Sequence, residues 1–223
     1  MNIKPNNIVV IAPHPDDEVL GLGGTISKFC DEGVDVSVLV VSGHLPPLYD
    51  QEAFKITKQE AEKAFRIMNV KNWDFLEIPA TTVHQIAVAE LNGKIINFLK
   101  KYSPEWVFIP FPDRHIDHRT IFDASLVACR PNTDTAPKVV LAYETLSETH
   151  WNAAGIEPSF VPEFFVNITK YIDVKKRALE SYVSQINNNE SRSIEACDAL
   201  AKFRGSQNGC EYAEAFKVVR IVI

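Results

Sequence analysis

The sequence predicts an α/β fold, a mainly parallel sheet with helices on both faces. Short apolar runs alternate with longer amphipathic segments along the chain, the pattern of repeated βαβ units. The first run, Ile8–Ala12, is apolar throughout rather than alternating, as strands covered on both faces are. The 223 residues, 46% hydrophobic and 23% charged, suffice for one large core, so residues 1–223 are expected to form a single domain.

Ile8–Ala12 is the first strand, ended by Pro13. Residues 19–32 follow as a helix, with Leu20, Leu22, Ile26 and Phe29 near helical spacing and Gly33 as its stop. Val34–Val41 is the second strand, and Ser42–Asp50, with two prolines, is a loop. Residues 51–69 place Phe54, Ala61, Ala64, Phe65 and Met68 on one helical face, and Trp73–Ile78 is the third strand. Residues 84–101 form an amphipathic helix through Ile86, Leu91, Ile95, Phe98 and Leu99. Trp106–Ile109 is the fourth strand, closed by Pro110 and Pro112, and a helix runs from about Asp117 to Cys129. Lys138–Tyr143 is the fifth strand. Beyond it, Phe164–Ile168 is a candidate sixth, 171–185 and 192–203 read as helices, and Phe216–Ile223 is either a late strand or a packed tail. Residues 145–163 are long and poorly periodic, a loop expected at the site or at a subunit contact.

The net charge of -6 argues against a nucleic-acid surface, which needs a basic field, and points to a small-molecule partner. No run of about 18 apolar residues occurs, so no membrane span is expected and the reading is a cytoplasmic protein. Cys30, Cys129, Cys197 and Cys210 include no CxxC pair, so no disulfide framework is expected, and Cys30 and Cys129 read as small core residues. The apolar content of the long loop leaves room for a homo-oligomer.

Two clusters carry chemistry. Pro13-His14-Pro15-Asp16-Asp17-Glu18 follows the first strand, and Asp113-Arg114-His115-Ile116-Asp117-His118 follows the fourth. If the strand order is 3-2-1-4-5, both sit at the carboxyl edge of neighbouring strands, where doubly wound sheets bind ligands. Two imidazoles and a carboxylate with a fourth position open make a catalytic zinc set. The surplus acids and histidine suit hydrolysis, which needs a base and an oxyanion stabiliser. The bland alternative for Asp16-Asp17-Glu18 is a helix cap followed by first-turn acids that favour the helix dipole.

These motifs resemble the N-acetylglucosaminyl-phosphatidylinositol de-N-acetylases (the PIG-L family) and their bacterial LmbE-like relatives. Tyr143-Glu144, Tyr182-x-Ser184-Gln185, Phe203-Arg204-Gly205-Ser206 and Tyr212–Phe216 are similar to the bacterial branch, so the resemblance covers nearly the whole chain. It implies a Rossmann-like, LmbE-like fold and a zinc-dependent N-deacetylase acting on an N-acetylated sugar or conjugate. Carried over residue by residue, it implies that His14, Asp17 and His118 bind one Zn2+ per chain, another divalent metal being possible. Asp16 then matches the general base, His115 the group that stabilises the oxyanion or protonates the leaving amine, and Asp117 its orienting partner. A histidine held protonated by Asp117 would meet the charge that develops on the amide oxygen. Relatives often carry an arginine early in the helix at 51–69; the comparable place here is Thr57, which implies a changed substrate contact.

Several residues keep two readings. His44 is either a rim residue or a loop histidine; Trp151, beside His150, either stacks on a sugar or packs. Arg192 and Arg204 either bind an anionic group or form surface ion pairs. His84 starts a helix without a role. Gly21-Leu22-Gly23-Gly24 lacks the GxGxxG spacing of a dinucleotide loop and reads as close packing of the first helix on the sheet. The rival functions are a metal-dependent phosphoesterase, which needs a second metal about 4 Å from the first, and a metal- or ligand-binding module without catalysis.

Overall fold

The computed structural model describes residues 4–132, 136–186 and 189–222. One seven-stranded sheet runs through it in the order β3-β2-β1-β4-β5-β7-β6. Its strands are β1 Asn7–Ala12, β2 Asp35–Gly43, β3 Asn72–Pro79, β4 Trp106–Pro110, β5 Val139–Tyr143, β6 Phe164–Asn167 and β7 Ala213–Ile221. The first five pair in parallel, while β7 enters antiparallel between β5 and β6. The tail expected from Phe216 is thus a strand that begins three residues earlier, at Ala213.

Strand alternation divides the core in two. Ile8, Val10 and Ala12 of β1 face one apolar cluster, and Val9 and Ile11 face the other. Helices α1 (Asp17–Asp31), α2 (Gln51–Ile67), α5 (Ile172–Leu179) and α7 (Ile194–Ser206) cover the first face; α3 (Val88–Tyr102) and α4 (Ile116–Ala128) cover the second. Asp50 caps α2 by accepting the Ala53 amide at 2.7 Å, and Ser193 caps α7 by accepting that of Ala196 at 3.1 Å. All four cysteines are free, with Cys129 and Cys197 buried. No helix among the described residues is long and apolar enough to cross a membrane.

Two expected helices are broken. The segment at 84–101 opens with a single 3-10 turn, Val83–Gln85, and α3 starts only at Val88. His84 therefore belongs to that turn, whose neighbour Val83 is buried in the second core. The segment at 171–185 ends as α5 at Leu179 and resumes as the short α6 (Val183–Ile186). Between them lies Tyr182, wholly buried, with its hydroxyl donating to Glu18. The break in the helix turns that hydroxyl inward.

Helix α1 is itself kinked at Leu22 (φ -149°, ψ 26°). In an unbroken helix the Gly24 amide would donate to the Leu20 carbonyl. Here the Gly24 and Thr25 amides donate to Glu214 Oε1 and Oε2 at 2.9 and 2.6 Å, and the Leu20 carbonyl accepts from Lys175 Nζ at 3.0 Å. Lys175 and Glu214 pair at 2.6 Å, both buried. A buried ion pair from α5 and β7 thus replaces the hydrogen bonds the kink removes. The glycines permit the approach: a Cβ on Gly21 would lie 2.3 Å from Tyr143 Cδ2, and one on Gly24 2.7 Å from Ile168 Cδ1. The close-packing reading of this run is correct.

Candidate active site

Because β1 sits between β2 and β4, the strand order reverses at this point and leaves a crevice at the strands' carboxyl ends. The His14–Asp16 turn crosses the end of β1, and Phe111–His115 crosses the end of β4. Asp16 adopts φ 111°, a conformation that costs a non-glycine residue ~1–3 kcal/mol and clusters at functional sites. Its side chain makes no cap hydrogen bond to α1, and Asp16, Asp17 and Glu18 are all buried at 1% exposure or less. Asp16 thus holds the N-cap position and Asp17 and Glu18 the first turn of α1, but the Asp16 side chain does not cap and all three acids are buried. Glu18 instead accepts the Asp16 amide at 3.2 Å and the Tyr182 hydroxyl, bracing the strained turn.

Asp17 Oδ2 lies 3.1 Å from His14 Nδ1 and 3.2 Å from His118 Nε2. Ligands ~2.0–2.1 Å from a tetrahedral ion sit ~3.3 Å from one another, and the two distances from Asp17 match such ligand edges. His118 Nε2 is buried, with Asp17 Oδ2 as its charged neighbour at 3.2 Å. One ring nitrogen each of His14, His115 and His118 also lies within 4.8 Å of the others; His115 Nδ1 accepts the Asp117 amide at 3.1 Å, which leaves its Nε2 for a ligand role. Both the His14, Asp17 and His118 group and the three histidines could hold a metal. Outer partners orient them: Asp113 Oδ2 meets His118 Nδ1 at 2.9 Å and accepts the Thr149 hydroxyl at 2.8 Å.

Asp117 departs from expectation. Its Oδ2 lies 3.0 Å from His14 Nε2 and accepts the Thr81 amide at 2.6 Å, but stands 4.0 Å from His115 Nδ1. The carboxylate therefore orients His14, and only its backbone amide reaches His115. The reason is local: His115 is the N-cap of α4, and its Nδ1 accepts the Asp117 N–H. An accepting Nδ1 places the ring proton on Nε2. Burial, with His14 and His118 nearby, holds His115 down at about 4. In the metal-free fold this favours a neutral His115 that donates through Nε2.

The other charges are set by the same crowding. Burial disfavours the His14 imidazolium, but hydrogen bonds to Asp117 and Asp17 outweigh it and lift His14 to about 9. For His118, burial is overcome by the Asp17 charge and the bonds to Asp113 and Asp17, giving about 10. Burial would raise Asp17, yet the two imidazoles hold it well below the carboxylate range. Asp16 is pushed up to about 7 by burial, against the pull of Arg192.

Two imidazolium protons thus occupy what a divalent cation would neutralise equally well. pH 7 lies below the folded values of both histidines, so both are charged, and metal binding to them should expel about two protons per ion. Affinity should tighten with rising pH until His118 is itself deprotonated. Calorimetric titration in buffers of differing ionisation enthalpy measures this; release of fewer than one proton would exclude the paired-histidine ligand set.

The remaining candidates separate clearly. Arg192 donates to Asp16 Oδ2 at 3.2 Å, inside the site. Arg204 forms a buried two-pronged pair with Glu144 at 2.8 and 2.6 Å, with His150 3.3 Å from the same carboxylate; it is structural, and buried rather than on the surface. Thr57 is buried with its hydroxyl donating to Phe54 O, so it offers nothing to a substrate. His44 packs edge-on against Tyr49 at 4.4 Å with Nδ1 unpartnered. Trp151 is 53% exposed, one turn from the Thr149 that reaches Asp113. The sequence reading assigned no role to Asp113, Thr149, Glu18 or Tyr182; Asp113 and Glu18, inside the two motifs, and Tyr182, in a segment similar to the bacterial branch, carried a signal, and Thr149 carried none.

The family described as PIG-L, GlcNAc-PI de-N-acetylase, matches residues 9–129. A diacetylchitobiose deacetylase of Thermococcus kodakarensis is 28% identical over 95% of this chain and 82% of its own length. The conserved protein TT1542 from Thermus thermophilus superposes with a TM-score of 0.78 at 26% identity, covering 97% of this chain and 96% of that one. A 4-carboxy-2-hydroxymuconate hydratase, GalB from Pseudomonas putida KT2440, superposes equally well (0.78, 17% identity, 97% of both chains). The same fold thus serves hydration in one protein and deacetylation in another.

Proposed function

This chain belongs to the PIG-L family of GlcNAc-PI de-N-acetylases, and from that premise we propose that it removes the acetyl group from an N-acetylated amino sugar, or a conjugate of one, by metal-assisted hydrolysis. The carrying observation is the strained, buried Asp16 beside the His14, Asp17 and His118 set, with its Oδ1 lacking any partner. A structural acid would not leave that oxygen unsatisfied.

In this reading His14, Asp17 and His118 hold the metal, zinc being suited to two imidazoles and a carboxylate. When bound, it supplies Lewis acidity that lowers the pKa of water and polarises a carbonyl. Asp16 Oδ1 takes a proton from the attacking water as the new C–O bond forms, and the proton passes to the nitrogen as the C–N bond breaks. Acetate and a free amine result. His115, a neutral Nε2–H donor, meets the negative charge on the amide oxygen. Asp117 acts through His14, whose ring it orients.

The phosphoesterase reading wants a second metal with bridging acids, and among the described residues one group of metal-capable side chains gathers. A pure binding module would not need the strained Asp16. The test is acetate release from a panel of N-acetylated sugars, nucleotide sugars and sugar conjugates, comparing zinc-loaded protein with a chelator-stripped control. Acetate above the control, with one metal per chain, is expected. Two metals per chain and phosphate release instead would sink the proposal.

A further inference from the structure

Arg192 lies on a one-turn 3-10 helix, Glu190–Arg192, 176 residues from Asp16 and outside the span that matches the family. Its guanidinium is held on three sides: Nη1 donates to Asp16 Oδ2 at 3.2 Å, Nε to Ser147 Oγ at 3.0 Å and Nη2 to Glu148 Oε1 at 3.4 Å. Ser147 sits at φ 73° in the loop after β5, and Thr149, two residues on, donates to the Asp113 carboxylate that orients His118. The loop therefore fixes Arg192 with one residue and the metal-ligand support with another.

An aspartate carboxylate turns readily about its last bond, so its two oxygens are interchangeable unless something distinguishes them. Here Oδ2 is bound and Oδ1 is buried with no partner. We infer that Arg192 is a positioning residue: by holding Asp16 Oδ2 it presents Oδ1 to the reacting water and fixes which oxygen takes the proton. This rests on the deacetylase reading, and it makes three-point anchoring of the guanidinium, not its charge alone, the working feature.

Arg192→Ala should lower kcat about 30- to 100-fold, the penalty for a misplaced catalytic group, with KM within about twofold. Zinc affinity and thermal midpoint should stay near wild type. Guanidinium ion added to Arg192→Ala should restore about tenfold of the lost kcat, the free ion refilling an oriented site. Arg192→Lys, which can hold one oxygen but not all three anchors, should fall between the two and guards against an alanine variant that does not fold. Crystals of Arg192→Ala should show the Asp16 carboxyl rotated, and guanidinium-soaked crystals should show it returned.

An Asp16 carboxyl unmoved in Arg192→Ala would overturn the inference. So would a raised KM with unchanged kcat, which would assign the guanidinium to an anionic group of the substrate. Should the wild-type protein release no acetate from any N-acetylated sugar, the deacetylase reading falls, while the crystallographic comparison still decides whether Arg192 sets Asp16.

Discussion

Asp16→Asn should abolish turnover while leaving the metal bound. The amide is isosteric and its oxygen can still accept from Arg192, but it cannot take a proton. Positioned general bases contribute ~10²–10⁴ in rate, equivalent to about 3–5 kcal/mol of barrier, and the loss should appear in kcat with KM little changed. Zinc stoichiometry should stay at one, because His14, Asp17 and His118 are untouched. Full turnover in Asp16→Asn with zinc in place would exclude the mechanism.

The same variant carries a stability signature. In the metal-free fold Asp16 is raised from 3.8 to about 7, chiefly by burial. Below pH 3.8 both folded and unfolded carboxyls are protonated and the site costs nothing. Between there and about 7 the unfolded chain releases its proton while the folded chain keeps it, so stability falls as pH rises through that window. Asn removes the dependence. Metal-free melts of the two proteins should converge at about pH 4 and separate by about pH 8, with Asn the more stable. The opposite order would show that Arg192 keeps Asp16 ionised throughout.

The largest loss of stability is expected from Glu214→Ala. That carboxylate accepts the Gly24 and Thr25 amides and pairs with Lys175. Burial would lower Lys175, but the Glu214 charge outweighs it and holds the lysine above its ordinary value. Removing Glu214 leaves a buried ammonium and two helix amides unmatched at once. Breaking a buried pair on one side costs ~3–5 kcal/mol, against a total of ~5–15 for a domain. Urea denaturation should show it, where the variant folds at all. Replacing both partners, as in Lys175→Met with Glu214→Met, should recover part of the loss because no bare charge remains. A single-variant cost below about 1 kcal/mol would show that the kink of α1 is held by its glycine packing alone.

Five parallel strands and the helices between them were legible because each buried strand is a short apolar run and each covering helix repeats its apolar side every third or fourth residue; their order, only assumed at that point, came from the structure. The motif residues were legible too, since a turn after a strand is local: His14, Asp16 and Asp17 lie within four positions, and His115, Asp117 and His118 likewise. Helix breaks were not. The glycines around Leu22 permit a kink without requiring one, and the groups that accept and donate in place of the lost hydrogen bonds, Glu214 and Lys175, are distant in the chain, as is the Glu18 that takes the Tyr182 hydroxyl. For Thr57 the helix position could be counted from the sequence, but its direction, into the core, could not.

The sequence by itself determined the fold class, the edge of the sheet where chemistry gathers and the residue types of a metal-assisted hydrolase. Local spacing and solvent preference act over a few residues, and they suffice for that. The tertiary structure alone decided which partner each group has. It gave the Asp117 carboxylate to His14, favoured a neutral His115 in the metal-free fold, joined Arg204 to Glu144 and brought Arg192 onto Asp16. Charge state and hydrogen-bond assignment depend on burial and on distances between segments far apart in the chain, and those exist only once the chain has closed on itself.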